Sequence, residues 1–470
     1  MIRFFETAKK GILLAGIFFC GVFFVYPADD TLLLTPDKAA EMAVNNNLSL
    51  EMARIGTDIK ERKKNYSWNN FLPSLTATGT MSHDNWATVT QGIDFTTMRP
   101  YSMQLPQWHL NGAFSATLDF SAALIEGLRS SRLDYEAGLI TFEKARLQIE
   151  QAVRKMYNNI LLLEANKELM NDSYANAMRQ VSMADANYRA GLAPRLTLIQ
   201  AQVAAENMKP AINDLDNTLK SLKGNFALIL GLPYDAPFKL ESISFRAADI
   251  SMGVKEMISL AAAEKPDIQE LRANILTLQS QKKALSISNF TPFLRLGWTV
   301  TSLYNPMLDP FKDDLFKADN WNKGGNFSLT LGMSLNGLLP FTKEGQQRKD
   351  MEASIQIQNI RLAQMVQETE LELITKLNSL EKTLATAEAQ QAAIQLAELS
   401  YRLTSEAYRA GLQDFQSVQG ASLALEQARL QLLRENFNYL NDLIDLEYLI
   451  GVPFGTLSSS GTLNNRGSGR

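Results

Sequence analysis

The chain has 470 residues, 46% hydrophobic and 20% charged, with a formal net charge of −4. That balance offers no basic excess for nucleic acid, and the length exceeds one ordinary core, so two domains or a repeat are expected. The only cysteine is Cys20 and the only histidines are His83 and His109, which excludes a Cys–His site from the chain beyond its N-terminus.

Arg3, Lys9 and Lys10 precede an apolar run from Gly11 to Val25, and the small residue Ala28 follows. Residues 1–28 therefore read as a secretory signal peptide. Tyr26 fits poorly two residues before the cleavage point, so an uncleaved anchor stays open. Lipid attachment at Cys20 fits less well, because Phe23 and Phe24 continue the apolar run. After Val25 no stretch approaches the roughly 20 apolar residues that a spanning helix needs. If the mature chain crosses a membrane, strands must do it.

A helix is predicted from Thr35 to about Trp68. Two alternating segments follow, "PSLTATGTMS" and "FSATLDFSA", each with one apolar and one polar face. The stretch from Ala122 to Ala190 reads as one helix, roughly 100 Å long at 1.5 Å per residue. Gly191 ends it, Pro194 reinforces the break, and Thr197 with Gln200 makes a capping-box pattern for a return helix. That helix stops at Gly231 and Pro233.

The order then repeats. Tyr188–Leu192, "YRAGL", recurs as Tyr408–Leu412, and Ala201, Ala204 and Glu206 recur as Ala421, Ala424 and Glu426. "FLPSL" at Phe71 returns as "FTPFL" at Phe290, and "GLP" at Gly231 as "GVP" at Gly451. The chain is a tandem duplication: residues 29–249, residues 250–457, and a C-terminal tail 458–470, flexible by composition. In the second copy a helix is expected from about Val254 to Ser288, and Asp414 is the candidate cap of the return helix. Leu373, Leu377, Leu380, Leu384, Ala387, Gln391 and Ile394 step as heptads, and so do Leu430, Leu433, Phe437, Leu440 and Ile444.

The second copy's alternating segments run from Leu294 and from Phe327, the latter through Asn336. A soluble sheet on a helical core would give the same period. Two features count against it: the polar faces carry no charge except Asp119 and Arg295, and a length of about 10 residues matches a tilted bilayer crossing. Leu296 and Leu331 are then expected toward lipid, and Asp119, Arg295 and Thr330 toward a lumen. Trp86, Trp108, Trp298, Tyr304 and Trp321 are expected at the strand ends as an aromatic girdle. Four strands cannot close a barrel, and open edges are not tolerated in lipid. Three copies would supply 12 strands; two would supply eight, whose interior side chains fill.

With those elements in place, the chain resembles the outer membrane efflux protein (TolC) family. The segments that carry the resemblance are "TPDKAAEMAVNNNLSLEMAR", "EKPDIQELRANILTLQSQKKA", "NFLPSL", "FTPFLRL", both "YRAGL" blocks and "LIGVP". It covers the chain from about Thr35 to Pro453. The fold class it implies is mixed α and β: long antiparallel helical hairpins forming a coiled-coil α-barrel, plus four transmembrane strands per chain in a 12-stranded β-barrel completed by a homotrimer. It also implies an outer-membrane location extending into the periplasm, a periplasmic adaptor (membrane fusion) protein and an inner-membrane transporter as partners, and outer-membrane lipid around the barrel.

The resemblance makes each "YRAGL" the turn at a periplasmic hairpin tip. Tyr188, Arg189, Ala190, Gly191 and Leu192, with Tyr408, Arg409, Ala410, Gly411 and Leu412, become the candidate docking residues; a bare helix-hairpin turn with a solvated arginine and a packed tyrosine is the alternative. Some family members carry an Arg and two Asp where this chain has Gln413, Ser417 and Gly420, so these three are gate candidates without a charged ring. No catalytic motif, cofactor site or metal site is expected. The function class is an exit duct for a tripartite efflux or type I secretion system; the alternative is a non-conducting periplasmic coiled-coil protein or adhesin.

Overall fold

The computed structural model describes residues 32–457 apart from 106, 244, 249, 251, 305–320, 337, 338 and 340. The signal assignment (1–28) and the tail assignment (458–470) lie outside the described residues.

The first half opens with a short strand β1 (Leu32–Leu34) and helix α1 (Pro36–Asn46). Thr35 caps α1 by accepting from the Lys38 amide at 3.1 Å. The helix expected to continue to Trp68 instead breaks at Asn47, whose side chain caps α2 (Leu48–Asn65) through the Ser49 and Leu50 amides. A 3-10 turn, Ser67–Phe71, then feeds β2 (Ser74–His83). A hairpin of β3 (Val89–Asp94) and β4 (Arg99–Gln104) was not legible in the period and separates β2 from β5 (Trp108–Ser121). Helix α3 runs 67 residues, Ala123–Arg189. The return divides at Asn207 into α4 (Arg195–Glu206) and α5 (Met208–Ile229), and β6 (Phe238–Leu240) pairs parallel with β1.

The second half has α6 (Val254–Glu264) and α7 (Pro266–Phe290), broken at Lys265 because the residue before proline avoids helical backbone. Strands β7 (Phe293–Tyr304) and β8 (Trp321–Gly332) follow. Helix α8, Lys343–Arg409, again has 67 residues, and α9 (Phe415–Ile450) returns unbroken.

The four long strands make one antiparallel sheet in the order β2-β5-β7-β8. Strand β8 ends at Gly332, not Asn336, so Met333 and Leu335 lie beyond it. Trp108, Tyr304 and Trp321 do lie at the end of the sheet away from the long helices, but Trp298 is mid-strand, opposite Ala116 and Phe327, and Trp86 is in a loop. Trp86 follows the end of β2 by three residues, so the expectation of aromatics near the strand ends is corrected for Trp298 alone.

Two cores hold the long helices. One joins α1, α3, α5 and the β1–β6 pair around Val153, Tyr157, Ile160 and Phe226; Tyr157 donates to the carbonyls of Leu34 at 2.9 Å and Glu241 at 2.7 Å. The other joins α6, α8 and α9 around Met257, Leu373, Leu380, Leu443, Leu446 and Ile450. The α8 heptads are half realised. Leu373, Leu380, Ala387 and Ile394, seven apart, are buried, whereas Leu377 and Leu384 are half-buried and Gln391 is exposed.

Candidate functional site

The site is the far end of the two helical hairpins, where α3 turns into α4 and α8 into α9. Gly191 and Gly411 adopt φ of 73° and 74°, the left-handed region that glycine enters without a Cβ penalty. Each turn is closed by the same pair of bonds. Gly191 N–H donates to Tyr188 C=O at 3.0 Å and Leu192 N–H to Asn187 C=O at 2.8 Å; Gly411 donates to Tyr408 at 3.0 Å and Leu412 to Ala407 at 2.9 Å. Ala190 and Ala410 are the helix-end residues just before the glycines.

The return helices start differently. Asp414 caps α9, accepting from the Ser417 amide at 2.8 Å; the Ser417 hydroxyl first, and this amide second, hold its carboxyl below the usual range. In the first hairpin Pro194 occupies the cap position with no side-chain hydrogen bond, and Thr197 already sits in the first turn of α4. The Thr197–Gln200 capping box is therefore corrected: proline at the break caps the helix three residues before Thr197.

The two tyrosines also part company. Tyr408 is 7% exposed and packs in a small core with Ala184, Ala201, Phe415 and Val418; Tyr188 is 41% exposed. The buried Tyr408 ring is thus a brace between hairpins, the packed tyrosine of the bare-turn alternative. Arg189 pairs with Asp185 at 2.8 Å, while Arg409 is exposed. Leu192 and Leu412 are exposed at the two apices. Beside them a groove of about 290 Å³ runs between α4 and α9, lined by Ile199, Val203, Ala204 and Phe415 with Gln200, Gln416 and Gln419. Gln413 in the turn, and Ser417 and Gly420 in the first turns of α9, are all exposed. Sequence reading missed Phe415, Val418, Ala184 and Ala201; the three-residue spacing of Phe415 and Val418 was the available signal.

The sheet residues converge as a row. Asp119 stands opposite Arg295, and Arg295 opposite Thr330. Arg295 donates to Asp119 through Nε at 2.5 Å and Nη2 at 3.1 Å. This row lies at the end of the sheet that continues into the long helices. The histidines do not converge. His109 contacts Asp84 at 3.1 Å, while His83 packs against Trp108 with the rings tilted by 58° and alternates to the other face of the sheet. Among the described residues no cluster of His, Cys, Asp or Glu could hold a metal, and no helix is long and apolar enough to cross a membrane.

Residues 39–231 match the family model "Outer membrane efflux protein". The match lies within the first half of the chain. The second half repeats the main helices and the two long strands of the first in the same order, without counterparts of β1, β3, β4 and β6 among the described residues. The fold is also that of solved outer-membrane channels. The channel CusC has a TM-score of 0.69 at 16% identity, with 92% of this chain and 96% of that chain covered. VceC of Vibrio cholerae has 0.67 at 16%, covering 89% and 96%; CmeC of Campylobacter jejuni has 0.68 at 17%, covering 88% and 85%. No curated relative matches the sequence. At these identities the likeness shows that the chain has the fold of outer-membrane channels.

Proposed function

We propose that the protein is a trimeric exit duct across outer membrane and periplasm, serving a tripartite efflux or type I secretion system. Its two structural repeats are residues 29–249 and 250–457. The observation that carries the reading is the open four-stranded sheet: β2 and β8 are its two edges, and both are unpaired among the described residues. Bare edges in lipid leave backbone groups without hydrogen bonds, so other copies of the chain must pair with them. Three copies give a barrel wide enough for an aqueous lumen, with Asp119, Arg295 and Thr330 toward it.

A periplasmic adaptor docks at the hairpin tips and joins the duct to an inner-membrane transporter. The surface it meets is Tyr188, Arg189, Leu192, Arg409 and Leu412, with the α4–α9 groove beside them; Ala190, Gly191, Ala410 and Gly411 set the turn geometry. Tyr408 serves from behind by holding α8 against α9. Gln413, Ser417 and Gly420 line the tip as uncharged gate residues, so hydrogen bonds and packing close it.

Two measurements test this. Purified protein in a planar bilayer should conduct; a non-conducting protein is a periplasmic coiled coil or adhesin instead. The double variant Arg189→Glu/Arg409→Glu should keep that conductance and lose adaptor cross-linking. Normal cross-linking in the double variant would reduce the tips to plain turns.

A further inference from the structure

The face of the sheet that carries Asp119, Arg295 and Thr330 is almost free of charge. Otherwise it is built of Ser, Thr, Asn, Gly and Ala, with Phe293 and Leu303 toward its two ends. The hydroxyls satisfy one another across strands, Ser74 with Thr117 at 2.6 Å and Thr76 with Ser115 at 2.5 Å. Among the described strand residues of this face, Asp119 is the only acid and Arg295 the only Arg or Lys. The one histidine on it, His109, sits at the far end against Asp84 of the following loop.

The two charges share one rung. Asp119 comes two residues before β5 ends and Arg295 two residues after β7 begins. They form a forked pair, with Nε at 2.5 Å and Nη2 at 3.1 Å from the two carboxylate oxygens. The guanidinium also lies over the Phe293 ring, 5.6 Å from its centroid, which holds it at the wall. Both side chains are about half exposed, and an exposed pair adds little to stability. Stability gives no reason for a single ion pair in a wall of hydroxyls.

Symmetry gives one. In a duct of three copies, any charge on this rung recurs three times at one height. Asp119 alone would make a ring of three carboxylates, and Arg295 alone a ring of three guanidiniums. Either ring would sort solutes by sign. Pairing within each copy cancels both. We propose that Asp119 and Arg295 set the charge selectivity of the barrel: the pair holds its lumen neutral, so that anionic, cationic and uncharged cargo are admitted alike. The inference rests on the trimeric duct proposed above and names the residues that decide what this part of it admits.

Magnitudes show that three charges suffice. Twelve strands about 4.8 Å apart and tilted about 40° enclose a backbone radius of about 12 Å, so side-chain charges lie roughly 10 Å from the axis. The Debye length is about 10 Å in 0.1 M salt and about 3 Å in 1 M. Three uncompensated unit charges then enrich counter-ions over co-ions on the axis about fourfold at 0.1 M, and only about 1.2-fold at 1 M.

The test is the reversal potential of the full-length protein in a planar bilayer under a KCl gradient near about 0.1 M, with trimer mass checked for each variant. Asp119→Asn should shift the potassium-to-chloride permeability ratio about fourfold toward chloride, and Arg295→Gln about fourfold toward potassium. The double variant Asp119→Asn/Arg295→Gln should return to the wild-type ratio, and Arg295→Lys should keep it. Near about 1 M salt the shifts should collapse. Should Asp119→Asn fail to insert, Thr330→Arg places three further positive charges beside the same rung with the pair intact, and should also shift the ratio toward chloride. Conducting trimers whose ratio none of these single variants moves overturn the inference and leave the duct standing. So do shifts of one sign in both Asp119→Asn and Arg295→Gln, or shifts that persist at high salt. A wild type that does not conduct overturns the duct, and the inference with it.

Discussion

The ring of Tyr408 meets that of Phe415 at 63°, with centroids 6.1 Å apart, across the turn between α8 and α9. Its hydroxyl is buried and makes no hydrogen bond among the described residues. An unsatisfied buried hydroxyl costs about 1–3 kcal/mol, so Tyr408→Phe should keep the packing and leave the tip as stable or more so. Phe415→Ala removes the other half of the pair and should cost the tip about 3 kcal/mol. Limited trypsin digestion at Arg189, Arg195 and Arg409 reads both: slower or unchanged cleavage in the first variant, faster in the second. Faster cleavage in Tyr408→Phe would mean that the hydroxyl has a partner.

Strand facing predicts a depth-dependent cost. Leu331 is the penultimate residue of β8, close to the end of the sheet, whereas Phe327 is at its middle. If this face meets lipid, Phe327→Arg should cost about 2–4 kcal/mol and Leu331→Arg about 0–1 kcal/mol. Thr330→Arg, on the other face, should fold normally. Heat-modifiable migration on gels after refolding into lipid measures all three. Loss of folding in Thr330→Arg with tolerance of Phe327→Arg would invert the facing.

The helix starts give a paired comparison. Asp414→Ala removes a cap bond to the Ser417 amide and should cost about 0.5–2 kcal/mol. Thr197→Ala, at the aligned-looking capping box, should cost almost nothing, since Thr197 makes no cap. Amide exchange in the first turns of α4 and α9 distinguishes the two. Protection lost in α4 on Thr197→Ala would restore the box.

Long-period signals were legible in the sequence and short ones were not. The two 67-residue helices, their glycine turns and the four alternating strands follow from patterns repeated over many residues, so chance matches cancel. The strands Leu32–Leu34 and Phe238–Leu240 are three residues each, too short to show a period, and they form only because Tyr157 and the core beneath hold them together. The break at Asn47 competes with good helix formers on both sides, and a side-chain cap wins locally. Glu447 is buried on α9 yet reads as another surface acid; its carboxylate accepts from the amides of Gly455 at 2.9 Å and Leu457 at 2.8 Å, residues that fold back only in three dimensions. At the tips the sequence marks both turns as equal, and burial alone separates Tyr408 from Tyr188.

A carboxylate on α9 should give the periplasmic helices a pH dependence. Burial pushes Glu426 above the usual glutamate value, with only the Ser173 hydroxyl acting the other way. The folded chain then holds this proton more tightly than the unfolded chain. Its contribution penalises folding fully above the raised folded value and disappears below the unfolded one, so stability should rise as pH falls through that window. Thermal unfolding of the wild type and Glu426→Gln at several pH values between about 4 and 7 measures it. The variant should be flatter across the window. Equal slopes would mean that water reaches Glu426 as freely as it does in the unfolded chain.

The turn glycines separate docking from assembly. At φ of 73° and 74°, a β-branched residue is a backbone outlier, although nothing lies within 4 Å of where the new Cβ would stand. Gly191→Val or Gly411→Val should therefore disturb the turn by strain and not by collision. The sheet lies at the other end of helices 67 residues long, about 100 Å away, so membrane insertion, trimer mass and conductance should be unchanged. Export in cells and adaptor cross-linking should both fall, because a displaced turn no longer presents Leu192 or Leu412. Alanine at the same positions carries less strain and should lose less, which orders the series Gly, Ala, Val. Loss of trimer formation in the valine variants would show instead that the tips drive assembly, and full export would show that turn geometry is irrelevant to the adaptor.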